Sequence, residues 1–113
     1  LFEQKSEVNV VDDQVGSPSY ASDIVDAVMY IIVNNISGLL HYSNIGKISW
    51  YDFASTIRDL SGYKTVINPI STLEYPTPAK RPKYSVLDLS KCKKLGLPIK
   101  NWEDSLKKCL KLI

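Results

Sequence analysis

Ser49-Trp50-Tyr51-Asp52-Phe53-Ala54-Ser55-Thr56-Ile57-Arg58-Asp59-Leu60-Ser61-Gly62 carries both the start and the stop of a helix. Ser49 is a helix cap, and Asp52 three residues on is placed to reach back to it, as in a capping box. Trp50, Phe53, Ala54, Ile57 and Leu60 recur at helical spacing and give the helix one apolar face. Gly62 then stops it, since glycine takes the left-handed conformation of a helix end at little cost. Working outward, Val66-Ile67 begins a short β-branched strand, and Pro69 confines that strand to an edge or an end. Upstream, Leu39 to Ser43 reads as a strand, and so does Val8-Asn9-Val10-Val11, closed by Asp12-Asp13. The pattern predicts a mixed α/β fold with more helix than strand.

The remaining segments fit that class. Gly16-Ser17-Pro18-Ser19 is a turn. Tyr20 to Asn34 places Ile24, Val28 and Ile31 at helical spacing, with Ala27 and Ile32 widening the stripe. Asp23 and Asp26 sit near its start, where the helix dipole favours negative charge. Asn34-Asn35 and Gly38 end it. Asp88 is placed to cap a short helix ending at Gly96, and Asn101 to cap a last one that turns Trp102, Leu106, Cys109, Leu110 and Ile113 inward. Between them, Tyr75-Pro76-Thr77-Pro78-Ala79-Lys80-Arg81-Pro82 is irregular, because each proline pushes its predecessor extended.

The chain has 113 residues, 44% of them hydrophobic. That is one domain's worth, residues 1–113, able to bury about two thirds of its unfolded surface. Disorder is not expected on that ground. No stretch approaches the roughly 18 apolar residues of a membrane span, and Leu1-Phe2-Glu3-Gln4-Lys5 lacks the layout of a secretion signal. The absent initiator Met suggests processing or an excised fragment. Cys92 and Cys109 cannot make a disulfide framework, so a reducing, cytoplasmic setting is expected.

Charge is uneven. Residues 1–79 hold 4 basic and 9 acidic side chains, net −5, whereas residues 80–113 hold 10 and 3, net +7. A basic end attracts phosphates, nucleic acid or an acidic partner. Lys91, Lys93, Lys94, Lys107, Lys108 and Lys111 are better read as the solvated face of amphipathic helices. No nucleic-acid-binding motif accompanies them, so nucleic acid is not expected as a partner.

Much chemistry is missing. The five glycines are scattered, and no GxGxxG or P-loop cradle for a dinucleotide or phosphate is present. None of the seven tyrosines has a lysine four residues on. The lone His41 falls on an expected strand and reads as packing rather than catalysis. A metal site needs more His or Cys ligands than exist here. Asp12 and Asp13 could bind a cation or act as a base, but at a strand–turn boundary they are more often turn formers and caps. No catalytic, cofactor-binding or metal-ligating residue is therefore assigned.

What remains is an anion-plus-ring site. Arg81 lies in a proline-restricted loop, where a guanidinium is preorganised for bidentate phosphate recognition. Lys80 and Lys83 add positive potential. Trp50, Tyr51, Tyr75 and Tyr84 offer flat faces for a base or sugar.

Three stretches then carry a family. Val11-Asp12-Asp13-Gln14-Val15-Gly16-Ser17-Pro18-Ser19 resembles the VxDQxGxPT segment of dTDP-4-dehydrorhamnose reductases. Ser49 to Ala54 is similar to their SWYxFA helix start. Tyr75 to Leu87 is similar to their YPTPAxRPxxSxL loop. Order and spacing match through to Leu97-Pro98 and Trp102. Ser19 stands where threonine is usual, and both keep a hydroxyl.

The resemblance implies an extended short-chain dehydrogenase/reductase, of which this chain resembles only the small C-terminal, nucleotide-sugar-binding lobe. It implies an N-terminal Rossmann domain elsewhere, which holds NADPH or NADH and a catalytic Tyr-x-x-x-Lys pair. The parent reaction implied is reduction of dTDP-6-deoxy-L-lyxo-4-hexulose to dTDP-L-rhamnose, an oxidoreductase step in polysaccharide biosynthesis. By position, Arg81 resembles the arginine that grips the nucleotide diphosphate. Gln14, Gly16, Ser17 and Pro18 resemble the loop that lines the sugar-nucleotide cleft, and Trp50 and Tyr75 would flank it. Trp50 serves equally well as a helix-start core residue. The partners implied are a dTDP-sugar and the absent Rossmann domain, with a homo-oligomer expected from exposed apolar surface. The chain alone is expected to be inactive, and the sequence does not decide whether a divalent metal takes part. The competing expectation is a non-catalytic interaction module, akin to the regulatory subunit of methionine adenosyltransferase.

Overall fold

A computed structural model describes residues 1–113. In chain order it contains β1 (Glu7–Val11), β2 (Val15–Gly16), α1 (Ala21–Val33), β3 (Ile48–Ser49), α2 (Trp50–Ser61), β4 (Val66–Ile70), a 3-10 turn (Thr72–Glu74), α3 (Ser90–Lys94) and α4 (Trp102–Leu110). The fold is mixed α/β and richer in helix, as the sequence pattern implies. The chain divides into two compact units, one of Leu1–Gly16 with Lys47–Ser85, the other of Ser17–Gly46 with Val86–Ile113.

In the first unit β1 and β4 pair in parallel, Val8 opposite Ile67 and Val10 opposite Pro69. Parallel strands need a crossover, and α2 lies against both. Val8 and Ile67 are the buried apolar residues of this sheet. Pro69 is accommodated because the sheet has two strands and therefore only edges. Ser49 caps α2 by accepting the Asp52 N–H at 3.0 Å, and Gly62 ends the helix in the left-handed region at φ 73°. The reciprocal bond from Asp52 does not form. Ser49 instead donates its hydroxyl to Asp12 Oδ1 at 3.0 Å.

The second unit is built on a cluster of Ala27, Cys92 and Leu97, with Tyr30, Ile31, Ile36, Leu40, Tyr42 and Ile99 packed around it. Asn101 caps α4 by accepting the Glu103 N–H at 2.8 Å. Asp88 accepts the Ser90 N–H at 2.9 Å, although the cap position falls on Leu89. At Gly46 a Cβ would sit 2.5 Å from Trp102 Cδ1, and φ is +105°, so only glycine fits.

Three expectations are corrected. Leu39 to Ser43, His41 included, is not a strand. Its carbonyls are taken by side chains, Leu39 O by Lys91 Nζ at 2.7 Å and His41 O by Cys92 Sγ at 3.0 Å, rather than by a ladder. Ile113 lies beyond the end of α4 and is exposed. The inward stripe of α1 is Asp23, Ala27, Tyr30 and Ile31, while Ile24, Val28 and Ile32 face outward.

Asp23 explains that rotation. It is 1% exposed and accepts from Ser105 Oγ, from Asn44 Nδ2 at 2.7 Å and from Lys100 Nζ at 3.1 Å. Burial pushes its carboxyl up, but the bonds from Ser105, Asn44 and Lys100 outweigh this and hold it below the usual carboxylate value. Asn44 and Ser105 are themselves buried. Asp23→Ala should therefore cost roughly 2–4 kcal/mol, since each donor left without its acceptor away from water costs about 1–3 kcal/mol. Urea unfolding at neutral pH measures it. Because the folded pKa is depressed, this contribution is fully present above the unfolded value, about 3.9, and is lost as pH falls through the lower folded value. The wild-type advantage over Asp23→Ala should shrink below about pH 4.

Candidate functional site

Five of the residues expected to meet a ligand, Gln14, Gly16, Trp50, Tyr75 and Arg81, belong to the first unit and are reached from one short strand. β2 pairs with β3 in antiparallel register, Val15 opposite Ser49 and Gly16 opposite Ile48. On its other edge, Val15 N–H donates to Lys83 O at 2.8 Å and Ser85 N–H donates to Val15 O at 2.9 Å. The chain therefore passes Tyr84 in parallel register beside Val15. Trp50 is the residue after β3, and Arg81 lies two residues before Lys83. Gln14, Gly16, Trp50 and Arg81, remote in sequence, are thus hung from adjacent rungs.

Tyr75 is brought in by a second tether. Asp13 Oδ1 accepts the Thr72 N–H at 2.9 Å and the Thr72 hydroxyl at 2.5 Å. The same hydroxyl oxygen accepts from Gln14 Nε2 at 3.2 Å. Those bonds fix the 3-10 turn, whose end is Tyr75. The turn carries its own capping box, in which Ser71 N–H donates to Glu74 Oε2 at 2.7 Å. The Ser71-x-x-Glu74 spacing was the available sequence signal for it. Thr72 holds the Asp13 carboxyl below the usual carboxylate range; burial opposes this, and the charge of Lys83 adds to it. Asp13 is thus a cap, the ordinary role for a carboxylate at such a boundary.

The exposed side chains around this frame are aromatic and cationic. Trp50 is 57%, Tyr75 58% and Tyr84 59% exposed. Lys47 Nζ lies 5.9 Å from the Tyr84 ring centroid, within cation–π range. Arg81 is exposed, and none of the four ion pairs involves Arg81, Lys80 or Lys83. Gly16 runs close to the 83–85 segment: a Cβ there would lie 3.1 Å from Ser85 Oγ.

Ser17 and Pro18 belong to the second unit, where Ser17 Oγ donates to Gly46 O at 2.6 Å. That hydroxyl proton is committed to the turn. The helix caps are Tyr20, Ser49, Leu89 and Asn101, and no glycine-rich turn opens a helix. No group of three or more His, Cys, Asp or Glu is placed to hold a metal ion. No helix is long and apolar enough to cross a membrane.

The family model described as RmlD substrate binding domain matches residues 1–113. The chain belongs to that family. A spore coat polysaccharide biosynthesis protein of Bacillus subtilis is 39% identical over 110 residues, which cover 97% of this chain and 38% of that protein. A dTDP-4-dehydrorhamnose reductase of Sinorhizobium fredii is 38% identical over 120 residues, covering 96% and 40%. The crystal structure of a dTDP-4-dehydrorhamnose reductase from Clostridium acetobutylicum superposes with a TM-score of 0.95 at 38% identity, over 98% of this chain and 40% of that one. The reductase from Bacillus anthracis, in complex with NADP, gives 0.96 at 32% identity, over 100% and 41%. The chain thus spans 38–41% of the length of these relatives. The resemblance seen in the three motifs is a family relationship.

The Asp13–Thr72 tether has a direct test. Thr72→Val removes the hydroxyl that bonds to both Asp13 and Gln14, and should lower the urea midpoint, whereas Thr72→Ser should restore most of it. The Asp13 pKa is depressed in the fold. The bond's contribution is therefore present above about pH 3.9 and fades as pH falls through the lower folded value. The gap between wild type and Thr72→Val should narrow in acid.

Proposed function

We propose that this chain is the nucleotide-sugar-binding part of an NAD(P)H-dependent dTDP-4-dehydrorhamnose reductase, and that residues 1–113 serve as its single substrate domain. The reaction is reduction of the 4-keto group of dTDP-6-deoxy-L-lyxo-4-hexulose to dTDP-L-rhamnose, in the cytoplasm. Hydride is supplied by a nicotinamide nucleotide bound outside this chain. Arg81 holds the diphosphate. Gln14 and Gly16 line the approach to the sugar, with Ser17 and Pro18 continuing the same segment, and Trp50 and Tyr75 contribute ring faces.

The observation that carries this reading is the ladder at Val15. It sets the Arg81 loop beside the Gln14–Gly16 segment, with Trp50 across the other edge. A diphosphate needs its charge matched where water is displaced, and the planar fork of arginine does so with two parallel hydrogen bonds. Arg81 has no internal partner to give up. Pro78 and Pro82 restrict the loop, so less entropy is lost on binding.

Removing the fork should cost roughly 1.5–3 kcal/mol, the range for hydrogen bonds to charged groups. That is about ten- to a hundredfold in affinity. Arg81→Lys should recover only part, since a point charge cannot make the bidentate contact. The measurement is dTDP titration of the complete polypeptide carrying this chain, with melting temperature as control. Wild-type affinity in Arg81→Ala would remove the diphosphate role. Poor binding with a much earlier melt would make Arg81 structural. The 113-residue chain by itself should not oxidise NADPH in the presence of the keto-sugar nucleotide, and detectable turnover would overturn the division of labour proposed here.

A further inference from the structure

The Arg81 loop leaves the frame and re-enters it at one place. Thr72 is bonded to Asp13 and Gln14, and Lys83 O accepts the Val15 N–H, so both ends of the intervening stretch are fixed to consecutive residues. That is the layout of an Ω-loop. Residues 75–82 are all exposed, so side-chain packing does not hold them. What restrains the loop is its backbone. Pro76, Pro78 and Pro82 fix their own φ at about −65°. Tyr75, Thr77 and Arg81 each precede a proline and are pushed extended. Ala79 and Lys80 are the two residues of this stretch that neither restriction reaches, and they stand directly before Arg81.

One side chain acts on that joint. Thr77 donates its hydroxyl to Ala79 O at 2.8 Å, the only hydrogen bond that begins and ends within residues 76–82. A peptide unit is planar, so holding the Ala79 carbonyl orients the whole peptide between Ala79 and Lys80. Lys80 then connects two restrained pieces. On one side is that plane; on the other is Arg81-Pro82, leading into the Lys83 carbonyl bound to Val15. Thr77 is itself set between Pro76 and Pro78, so the donor is held in place before it donates.

We propose that Thr77 is a positioning residue for Arg81: its bond to the Ala79 carbonyl locks the free joint ahead of the arginine and aims the guanidinium at a phosphate group of the ligand. The inference rests on the functional reading above and deepens it by naming what preorganises the fork. A bidentate contact requires two N–H groups to arrive together in one plane. A loop already holding that arrangement loses less entropy on binding. The Thr77 hydroxyl proton is spent inside the loop, which separates its role from a direct contact with the ligand.

The test uses the complete polypeptide that carries this chain. Thr77→Val keeps the β-branched shape and removes the donor, whereas Thr77→Ser keeps the donor. Each is made alone and together with Arg81→Ala, and dTDP affinity and melting temperature are measured. Thr77→Val is expected to weaken dTDP binding about two- to tenfold, the range for one neutral hydrogen bond, with melting temperature unchanged and Thr77→Ser close to wild type. In the Arg81→Ala background the same change should have no further effect, because nothing is left to position. An equal loss in both backgrounds would overturn the proposal and make Thr77 a direct contact or a general support of the fold. Wild-type affinity in Thr77→Val beside a weakened Arg81→Ala would overturn it as well. Limited trypsin digestion reads the loop without ligand, since cleavage follows the population of the open form. Cutting of the Lys80–Arg81 bond, followed by mass spectrometry, should speed up by a similar factor in Thr77→Val and not in Thr77→Ser. Unchanged cutting would overturn the lock itself. Faster cutting, with dTDP affinity untouched by Arg81→Ala, overturns the functional reading and leaves Thr77 as the lock of the loop.

Discussion

Val15 is the residue from which the first unit's aromatic and cationic side is hung. Its N–H and C=O are both taken by the 83–85 segment, and Ser49 lies across its other edge. A two-residue strand contributes little stability of its own. Its value is positional. Gln14 and Gly16 are its neighbours, Trp50 follows its partner, Tyr84 lies beside it and Arg81 is two residues from its bonded carbonyl. Register is unforgiving in such an arrangement, because a slip of one residue turns every side chain to the other face. The bonds from Thr72 to Asp13, from Gln14 to Thr72 and from Ser49 to Asp12 flank the strand and oppose such a slip.

The second unit is organised by the opposite kind of interaction, a buried charge. Asp23 is tolerated in the interior because Ser105, Asn44 and Lys100 return in hydrogen bonds what desolvation removes. Asn44 also accepts from the Tyr20 N–H at 3.3 Å, at the start of α1. Tyr42 donates its hydroxyl to Asp23 O at 3.2 Å and to Pro98 O at 3.2 Å. The polar cluster therefore ties α1, the 42–44 segment, the 98–101 segment and α4 together, where an aliphatic core alone would specify their mutual positions less sharply.

Elements that declare themselves locally were legible in the sequence. Ser49 and Gly62 bound α2, Asn101 caps α4, and Pro69 sits on an edge, each for a reason contained within a few residues. The Arg81 loop was legible through its prolines. What was not legible depends on long-range partners. A run such as Leu39 to Ser43 looks like a strand until Lys91 and Cys92 take its carbonyls. In α1 the apolar periodicity locates a helix but does not say which side faces its own unit, because both sides are apolar. The carboxylate that decides it, Asp23, reads from sequence as an ordinary first-turn acid. Thr72 gave no signal of its own, since its role is set by Asp13, 59 residues away.

The cationic loop forms no internal ion pair. Carboxylates near it in the first unit are engaged by uncharged donors: Asp12 by Ser49, Asp13 by Thr72, Glu74 by Ser71. Hydrogen bonding orients these groups into the frame instead of toward Arg81. The acids thus serve as struts, and Lys80, Arg81 and Lys83 stay outside the four ion pairs. Had the acids been spent in surface ion pairs instead, each would have contributed at most about 1 kcal/mol and would have had to be broken before a diphosphate could bind. With uncharged struts, the carboxylates that stiffen the frame do so without an ion pair to the arginine fork, and the Arg81 role proposed above needs no such pair to be broken.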